Sequence, residues 1–367
     1  MSIGFRRDFS AGFGAIQSSM AMPRPVIRRT ISVTAFFLAA SLLVAGSPIV
    51  LPLLALRDLS TGRGPLRRVR FWCAATAVVL IECGGVLAAA VLTAAQFGRN
   101  NSPRAQARFH HLEWWWAGTH LRNLRRFVGL RWVVENPESL LTGRAIVLAR
   151  HASHVDALLP ILLFGIESGH PLRYTLKDEL QWAPAMDIVG NRLPNVFLDR
   201  SPASNSPLWG RLRNLTTHLG NEIAVIFPEG TFFTPERLDR AATRMGETRP
   251  DLEPAVRTLK HMLPPRTAGT WSLLQGAPDA DLILVAHEGM DVFGDLATIR
   301  SSLPLSAPVR VRVWRIDRSE VPNDEHAFTE WFVDQWLDMD HWIEKCMIER
   351  RSSGGNPSSL VGAKELS

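Results

Sequence analysis

The clearest strand-to-helix pattern in this chain is Ala145-Ile-Val-Leu-Ala-Arg-His-Ala-Ser-His-Val-Asp-Ala-Leu-Leu-Pro160. Its first five residues are apolar and predict a short strand that is buried on both faces. His151 follows this strand closely, and Asp156 falls in the first turn of the helix predicted after it. Because α/β domains bind ligands at the carboxyl ends of parallel strands, this histidine and this aspartate lie where a site is expected.

Similar short runs recur along the chain and are separated by longer amphipathic stretches. Each run is rich in apolar or β-branched residues and is short enough for a buried strand. They lie at Ala145–Ala149, Leu172–Leu176, Val196–Leu198, Ile223–Phe227, Leu282–Ala286 and Val309–Val313. This alternation predicts an α/β domain with a mostly parallel central sheet flanked by helices.

The apolar residues are concentrated ahead of this domain. Of the 367 residues, 46% are hydrophobic; Ile31–Leu56 carries no charge, and Phe71–Phe97 carries only Glu82. Both segments are long enough to cross the core of a bilayer as helices. Pro48 and Pro52 predict a kink or a re-entrant turn in the first segment. An intramembrane carboxyl is costly, so Glu82 is predicted to be protonated or bonded to the neighbouring segment.

Arginines flank the two apolar segments and fill the loop between them, at positions 57, 63, 67, 68 and 70. Positive residues resist translocation. Two full spans would carry the arginine-rich loop across the membrane, against this rule. A hairpin that enters from the cytoplasmic side keeps every basic region on one face, so we expect an N-terminal membrane-associated helical hairpin.

Composition divides the chain into four parts. Residues 1–30 are expected to form a basic disordered leader, and residues 31–97 to hold the two apolar membrane segments. The globular domain is expected over 98–350, and the end of the chain, 351–367, is expected to be a disordered tail because it is rich in Ser and Gly. Trp114-Trp115-Trp116 is typical either of a membrane interface or of a helix that packs against the domain.

Charge and cysteine content restrict the function only loosely. The net charge is +6. A basic surface suits anionic lipids, phosphorylated substrates or nucleic acid, and a compositional bias toward arginine produces the same charge. Cys73, Cys83 and Cys346 show no metal-ligand spacing and no disulfide framework, so a reducing compartment is expected. His151 and His154 lack a third ligand at a convincing spacing, and no metal site is expected.

His151 and Asp156 are of the residue types that general base catalysis needs. A carboxylate bonded to one ring nitrogen fixes the tautomer and stabilises the imidazolium. The other nitrogen is then available to take a proton from a hydroxyl. When the hydroxyl of an acceptor attacks an acyl thioester directly, no Ser or Cys nucleophile is required. By spacing alone such a pair is common, and Asp156 also suits a helix start by capping and dipole.

Two further stretches follow strands of the expected sheet. Phe227-Pro-Glu-Gly-Thr231 brings Glu229, which can orient a hydroxyl, and Thr231, which can donate to a phosphate. Gly190-Asn-Arg-Leu-Pro-Asn-Val-Phe-Leu-Asp-Arg200 ends in an arginine, the residue suited to bidentate phosphate binding. Taken alone, the first stretch is typical of a turn that ends a strand. The Asp199-Arg200 pair that ends the second stretch is typical of a surface ion pair.

Taken in order, these stretches resemble four sequence blocks of the glycerolipid acyltransferase family, whose best-known members are the 1-acylglycerol-3-phosphate acyltransferases. The first block, Asn-His-x-Ser-x-x-Asp, is similar to Arg150–Asp156, with Arg in place of Asn. The second, a Gly and an apolar strand that ends in Arg, is similar to Gly190–Arg200. The third, Phe-Pro-Glu-Gly-Thr-Arg, is similar to 227–232, with Phe232 in place of Arg. The fourth, a late apolar strand, is similar to Leu282–Ala286.

The order and spacing of the blocks fit over about residues 130–300, and Leu263-Pro-Pro-Arg-Thr-Ala-Gly269 is similar to a stretch of the branch with lysocardiolipin acyltransferases. The resemblance implies that His151 and Asp156 are catalytic. It also implies that the acyl acceptor is bound by Arg200, Glu229 and Gly230. Because Phe232 replaces the arginine that would grip an acceptor phosphate, the candidate cations are Arg200, Arg266 and Lys177.

The resemblance implies a membrane-bound acyltransferase that moves a fatty acyl group from acyl-CoA or acyl carrier protein to a lysophospholipid hydroxyl. The first candidate acceptor is 1-acylglycerol-3-phosphate, which would give phosphatidate. The alternatives are the same chemistry on a glycolipid or another lyso-lipid, and a non-catalytic lipid-binding protein of the same fold. No cofactor beyond the acyl thioester and no nucleic-acid partner are expected. Membrane lipids are the expected partners, at the cell membrane, with the catalytic domain facing the cytoplasm; the oligomeric state is open.

Overall fold

The computed structural model describes residues 22–62, 65–96, 102–140, 143–198, 206–352 and 364–366. In this part of the chain, one mixed sheet of eight strands is covered by helices on both faces, and two long apolar helices precede it. The strands are β1 Trp132–Glu135, β2 Ala145–Ala149, β3 Leu172–Lys177, β4 Val196–Leu198, β5 Ile223–Ile226, β6 Asp281–Glu288, β7 Val309–Ile316 and β8 Lys364–Leu366. The predicted α/β class is confirmed, and each of the six predicted strands is present.

The order of the strands across the sheet is β4-β3-β5-β2-β6-β7-β1-β8. The five strands from β4 to β6 are parallel, so the prediction of a mostly parallel centre is also confirmed. β7 is antiparallel to β6, β1 is parallel to β7, and β8 is antiparallel to β1. The sequence did not predict β1 or β8, which close the sheet on its β7 side.

The helices number α1 to α11 in the described ranges. They are α1 Pro25–Ser60, α2 Arg67–Ala95, α3 Pro103–Asn123, α4 Leu158–Pro160, α5 Pro184–Gly190, α6 Ser206–Thr216, α7 Pro235–Thr248, α8 Glu253–Val256, α9 Thr267–Gly276, α10 Leu296–Ser302 and α11 Glu325–Ser352. Wider π-helical turns extend α3 over Leu124–Val128 and α4 over Ile161–Ile166. Short 3-10 turns lie at Pro137–Leu140, Asp178–Trp182, Asp291–Gly294 and Arg318–Glu320.

The strands at the centre of the sheet bury both faces. Ala145, Val147 and Ala149 of β2 point into one core, together with α3 and the π-helical turn after α4. Ile146 and Leu148 point into a second core, formed with α9 and α11. This two-sided burial explains why β2 reads as a continuous apolar run rather than an alternating one.

α1 and α2 form the predicted hairpin. Both helices are long and apolar enough to cross a membrane by length and composition. α1 runs without a break through Pro48 and Pro52, so the predicted turn at these prolines is wrong. The chain instead reverses between α1 and α2, where Asp58 accepts bonds from the backbone and the guanidinium of Arg68, both at 2.8 Å. In apolar surroundings an interrupted helix leaves backbone groups unpaired, which favours continuation through a proline.

The hairpin contacts the domain near the start of α1 and again near the start of α2. The Arg28 guanidinium donates to both oxygens of Asp187 in α5, at 3.0 and 2.8 Å, and both side chains are buried. Near the start of α2, Arg70 donates to the carbonyl oxygens of Arg126 and Phe127, at 3.2 and 3.3 Å.

Glu82, midway along α2, also bonds to the domain. It accepts from the Trp116 indole at 2.9 Å and from the backbone N–H of Ala185 at 3.0 Å. Its partners therefore lie in α3 and α5 rather than in the neighbouring apolar helix. Trp114 and Trp116 pack against the domain, as one of the two interpretations expected, whereas Trp115 is exposed.

Two expectations about the chain ends need correction. Helix α1 already begins at Pro25, so residues 25–30 are not part of a disordered leader; proline suits the first helical position, and the pairing with Asp187 holds this turn. Lys364–Leu366, expected in a disordered tail, forms β8, because the open edge of β1 supplies backbone partners. The rest of both expectations, over 1–21, 353–363 and residue 367, lies outside the described residues.

Candidate active site

The carboxyl ends of the central parallel strands converge at one edge of the sheet. β2 lies between β5 and β6, and β5 lies between β2 and β3. The segments that follow β2 and β5 therefore meet the end of β3. They carry His151 and the turn Pro228–Phe232, and Lys177 is the last residue of β3. This is the edge at which open α/β sheets bind their ligands.

His151 and Asp156 meet as the sequence predicted. Nδ1 of His151 lies 3.3 Å from Oδ2 of Asp156. Oδ2 also accepts bonds from the backbone N–H groups of Ala152 and Ser153, at 2.5 and 2.6 Å, and Oδ1 accepts from the Ser153 hydroxyl at 2.5 Å. These bonds fold the chain back on itself within five residues and hold the buried carboxylate against the imidazole.

The surroundings favour a neutral imidazole beside an ionised carboxylate. Burial lowers the pKa of His151, and Lys177 lowers it further, while Asp156 opposes both. For Asp156, burial acts to raise the pKa, but His287, His151 and the Ser153 hydroxyl outweigh it, so the pKa lies below its usual value. A neutral ring with Nδ1 on a carboxylate has Nε2 available to accept a proton.

Aromatic rings form the wall around His151. The ring centroids of Phe227 and Phe232 lie 4.9 and 4.5 Å from that of His151. Phe232 also contacts His154, at 4.7 Å between centroids, and Nζ of Lys177 lies 5.4 Å from the centre of the Phe232 ring. Lys177, one of the predicted cations, is thus beside the histidine.

Glu229 lies behind the histidine rather than in front of it. Its side chain is buried, Oε1 accepts from the backbone N–H of His151 at 2.7 Å, and Oε2 accepts from that of Leu263 at 2.8 Å. Burial raises the pKa of Glu229 to about 8, although both backbone bonds and Arg150 favour the ionised form. The carboxyl group therefore links the end of β2 to the segment before α9, and its predicted contact with an acceptor stays a prediction.

Gly230 and Arg266 lie together beside this turn. Gly230 has a φ of +68°, a backbone conformation that favours glycine, and an added Cβ would lie 2.9 Å from Cζ of Arg266, whose flexible side chain would have to shift. The backbone N–H of Arg266 donates to the Pro228 carbonyl at 2.9 Å. Thr231 is half-buried in the same turn. Arg200 lies outside the described residues, and its role stays a prediction.

Arg150 is a site residue whose position the sequence did not explain. It is 1% exposed, and its guanidinium donates to the carbonyl oxygens of His287 and His261, at 2.7 and 3.0 Å, and to both oxygens of Asp291. It therefore joins the ends of β2 and β6. The signal that could have identified Arg150 in the sequence is its position, as a charged residue directly after a fully apolar strand.

His287 was also missed. It lies at the end of β6, just beyond the run that resembles the fourth block, and its Nε2 is 3.6 Å from Oδ1 of Asp156. Across the described ranges, no group of three or more His, Cys, Asp or Glu residues is placed to hold a metal ion.

The chain is similar in sequence to proteins described as acyltransferases. Residues 131–256 match the family model described as Acyltransferase. The chain is 27% identical over 205 residues to mouse 1-acyl-sn-glycerol-3-phosphate acyltransferase epsilon, covering 52% of this chain and 54% of that protein. It is 23% identical over 223 residues to an uncharacterized acyltransferase of Schizosaccharomyces pombe, covering 56% and 61% respectively.

The chain thus spans little more than half the length of the curated relatives it matches. Among solved structures, the 1-acyl-sn-glycerophosphate (LPA) acyltransferase PlsC from Thermotoga maritima aligns with 88% of this chain and 98% of that chain, with a TM-score of 0.38 and 15% identity. The family model covers the segment that holds His151, Asp156 and Glu229. Residues 131–256 thus match an acyltransferase domain, and the chain is similar in sequence to a glycerolipid acyltransferase.

Proposed function

We propose that this protein is a membrane-bound acyltransferase that moves a fatty acyl group from acyl-CoA or acyl carrier protein to the hydroxyl of a lysophospholipid. The first candidate acceptor is 1-acylglycerol-3-phosphate, and phosphatidate is then the product. The observation that carries the proposal is the contact of His151 Nδ1 with the buried Asp156 carboxylate, at 3.3 Å, at the ligand-binding edge of the sheet.

The transfer needs two proton movements, and one imidazole can make both. The acceptor hydroxyl gives its proton to Nε2 of His151 as its oxygen bonds to the thioester carbonyl carbon. Collapse of the tetrahedral intermediate breaks the C–S bond, and the leaving sulfur takes the proton back from Nε2. Asp156 stabilises the imidazolium between the two steps. The products are the ester and a free thiol, and the histidine returns to its neutral form.

The site also offers positive charge for an anionic headgroup. Lys177 lies beside the Phe232 ring, and the exposed Arg266 guanidinium lies over Gly230. Lys177 is the last residue of β3, and Arg266 directly precedes α9 beside the turn at Gly230; both were candidate cations from the sequence. We propose that they receive the phosphate of the acceptor, together with Arg200.

A second acceptor class is favoured by Phe232. Its ring packs at 4.5 Å from His151, where the family's third block has an arginine. An aromatic ring donates no hydrogen bond to a phosphate, whereas its face suits the apolar surface of a sugar or glycerol. The same chemistry on a glycolipid or another lyso-lipid is therefore the alternative proposal.

The helical hairpin is proposed to hold the site at the membrane surface of the cell, with the domain on the cytoplasmic side. α1 is 36 residues long, about 54 Å, and exposes a row of large apolar side chains that includes Leu42, Ile49 and Leu53. Because the domain contacts the hairpin at Arg28 and again at Arg70, the two ends cannot lie on opposite sides of a hydrocarbon core about 30 Å thick unless the domain enters it. This supports a hairpin held at one face of the membrane rather than two full spans.

An acceptor panel tests the function. The purified full chain is given labelled acyl-CoA or acyl carrier protein with lysophosphatidate, other lysophospholipids and an uncharged lyso-glycolipid. We expect label in phosphatidate, and a loss of at least ~10²-fold in His151→Ala, the usual scale for a general base. His326→Ala, exposed on α11, is the matched control. Near-full activity of the His151 variant contradicts the mechanism, and the absence of transfer to any acceptor leaves the lipid-binding alternative.

Cysteine labelling tests the topology. Thr61→Cys is made in a chain whose Cys73, Cys83 and Cys346 are replaced by Ser, and a membrane-impermeant maleimide is applied to vesicles of each orientation. We expect labelling from the same side as Ser301→Cys, an exposed position in the domain. Labelling from opposite sides contradicts the single-face hairpin.

A further inference from the structure

A second imidazole lies behind Asp156. His287 follows Val285 by two residues in β6, and Val285 pairs with Ala149 of the neighbouring parallel strand β2. This register brings His287 level with His151. The His287 side chain is fully buried, and its Nε2 lies 3.6 Å from Oδ1 of Asp156. The carboxylate therefore lies between two histidines, one facing each oxygen.

The two oxygens of Asp156 are unequally occupied. Oδ2 accepts the backbone N–H groups of Ala152 and Ser153 and faces His151 Nδ1. Oδ1 accepts only the Ser153 hydroxyl among the bonds formed by the described residues. Because an ionised carboxylate has about four lone-pair sites, two on each oxygen, Oδ1 retains room for one more donor. His287 lies on that side.

Both ring nitrogens of His287 lack a hydrogen-bond partner within the part of the chain that the structure describes. A buried polar group left in this state costs about 1–3 kcal/mol, so its presence needs a reason. The charged groups that act on the ring are Asp156, Arg150 and Asp291, and Arg150 also binds the His287 carbonyl at 2.7 Å. Burial lowers the pKa of His287, so at neutral pH the ring is uncharged and has one N–H to donate.

We propose that His287 is a positioning residue of the acyl-transfer site, whose Nε2–H donates to Oδ1 of Asp156 during the reaction. The inference rests on the proposed function of His151 and Asp156. An approach of about 0.6 Å converts the 3.6 Å contact into an ordinary N–H···O bond of about 3.0 Å. That bond fixes the plane of the carboxylate and keeps Oδ2 aligned with Nδ1 of His151.

The bond also sets the basicity of His151. A donor on Oδ1 draws negative charge away from Oδ2 and so weakens the pull of Asp156 on the His151 proton. Loss of the donor therefore raises the pKa of His151, and the base becomes neutral only at a higher pH. Lys177 and His154 face the same imidazole and remain unchanged in the test. We expect the acidic limb of kcat/KM to move upward by about half a pH unit to one unit.

A matched pair of substitutions at position 287 separates hydrogen bonding from packing. His287→Gln places an amide N–H at about the reach of Nε2, whereas His287→Met fills a similar volume without a donor. In the full chain, the Met variant is expected to lose about tenfold in kcat and to show the upward shift. The Gln variant is expected to keep the acidic limb of the unsubstituted protein and most of its kcat.

A second measurement needs no substrate. Diethyl pyrocarbonate modifies the neutral form of imidazole, so the pH dependence of modification at His151, located by peptide mass spectrometry, reports its pKa directly. The midpoint is expected to rise in His287→Met by the same amount as the kinetic limb, and to stay in place in His287→Gln. If no acceptor is acylated at all, the proposed function fails, yet these midpoints still decide the role of His287.

Three results overturn the proposal: equal midpoints in all three chains, an equal shift in both variants, or a shift to lower pH in the Met variant. If the Met variant does not fold, ¹⁵N spectra of the histidine-labelled unsubstituted chain decide instead. The signal of His287, identified by its absence in His287→Gln, must then report the neutral Nε2–H tautomer. The Nδ1–H tautomer overturns the proposal.

Discussion

Replacement of Asp156 by asparagine removes one charge from the site and leaves its shape nearly unchanged. The remaining carbonyl oxygen can still accept bonds from the backbone N–H groups of Ala152 and Ser153. In the unsubstituted protein the Ser153 hydroxyl donates to Oδ1 at 2.5 Å; in the variant the new amide can donate to that hydroxyl instead. Charge-assisted bonds become neutral ones, so we expect a loss of about 1–3 kcal/mol in the free energy of unfolding. The variant therefore stays folded if the protein has ordinary stability.

The effect on the reaction is expected to be larger than the effect on folding. Asp156 stabilises the imidazolium of His151 across a 3.3 Å contact, and both groups are largely buried. The corresponding Asp→Asn change in a serine protease triad lowers kcat by about 10⁴-fold. Because 3.3 Å is a long bond, we expect about 10³-fold here, or about 4 kcal/mol of transition-state stabilisation. Asp156 also acts to raise the pKa of His151, so without it the acidic limb of kcat/KM moves to lower pH.

The assay is the transfer of a labelled acyl group by the full chain in lipid–detergent micelles across a pH series. Asp279→Asn, at an exposed ion pair, is the matched control and should keep the activity and the pH profile of the unsubstituted protein. A kcat within about tenfold of the unsubstituted value, or an acidic limb that moves to higher pH, would refute the reasoning about His151 and Asp156.

Three further predictions concern the groups around this pair. Glu229→Gln should be less stable than the unsubstituted chain near pH 5, because one backbone N–H bond is lost. The difference in the free energy of unfolding should narrow toward pH 8. Because the folded pKa of Glu229 is raised to about 8, the unsubstituted protein loses stability as the pH rises above the unfolded pKa of this group. Denaturant titrations at both pH values test this. Arg150→Lys should lose about 2–4 kcal/mol, since an ammonium cannot span three acceptors, whereas Arg144→Lys on the surface should change the same unfolding midpoint little. Phe232→Arg should raise kcat/KM for lysophosphatidate about 10–100-fold relative to an uncharged lyso-glycolipid, with Phe232→Leu as control; an unchanged ratio would remove position 232 from acceptor choice.

Local patterns predicted the parts of the molecule whose partners are near in sequence. The strand β2 could be predicted because its five successive apolar residues are typical of a strand that is buried on both faces. The contact between His151 and Asp156 could be predicted because the two residues lie five positions apart and their bonds form within one turn. Both the strand and this contact were therefore predictable from the sequence.

The missed features depend on partners far along the chain. β1 is only four residues long and gains its stability by pairing with Val309–Arg312 in β7. Glu229 looked available to a substrate, yet its partners are backbone N–H groups, and every residue except proline has one. His287 is separated from Asp156 by more than a hundred residues, and the parallel register of β6 against β2 brings them together. Side-chain type and spacing carry no information of this kind.

The ion pair between Arg28 and Asp187 makes the hairpin a structural part of the domain as well as its proposed membrane anchor. Asp187 is completely buried under the first turn of α1. A chain that began after the hairpin would keep this buried carboxylate without its cation, and loss of one partner from a buried pair costs about 3–5 kcal/mol. We therefore expect the packing of the domain and the placement of the hairpin to depend on each other, because helix α5, which carries Asp187, packs against α1.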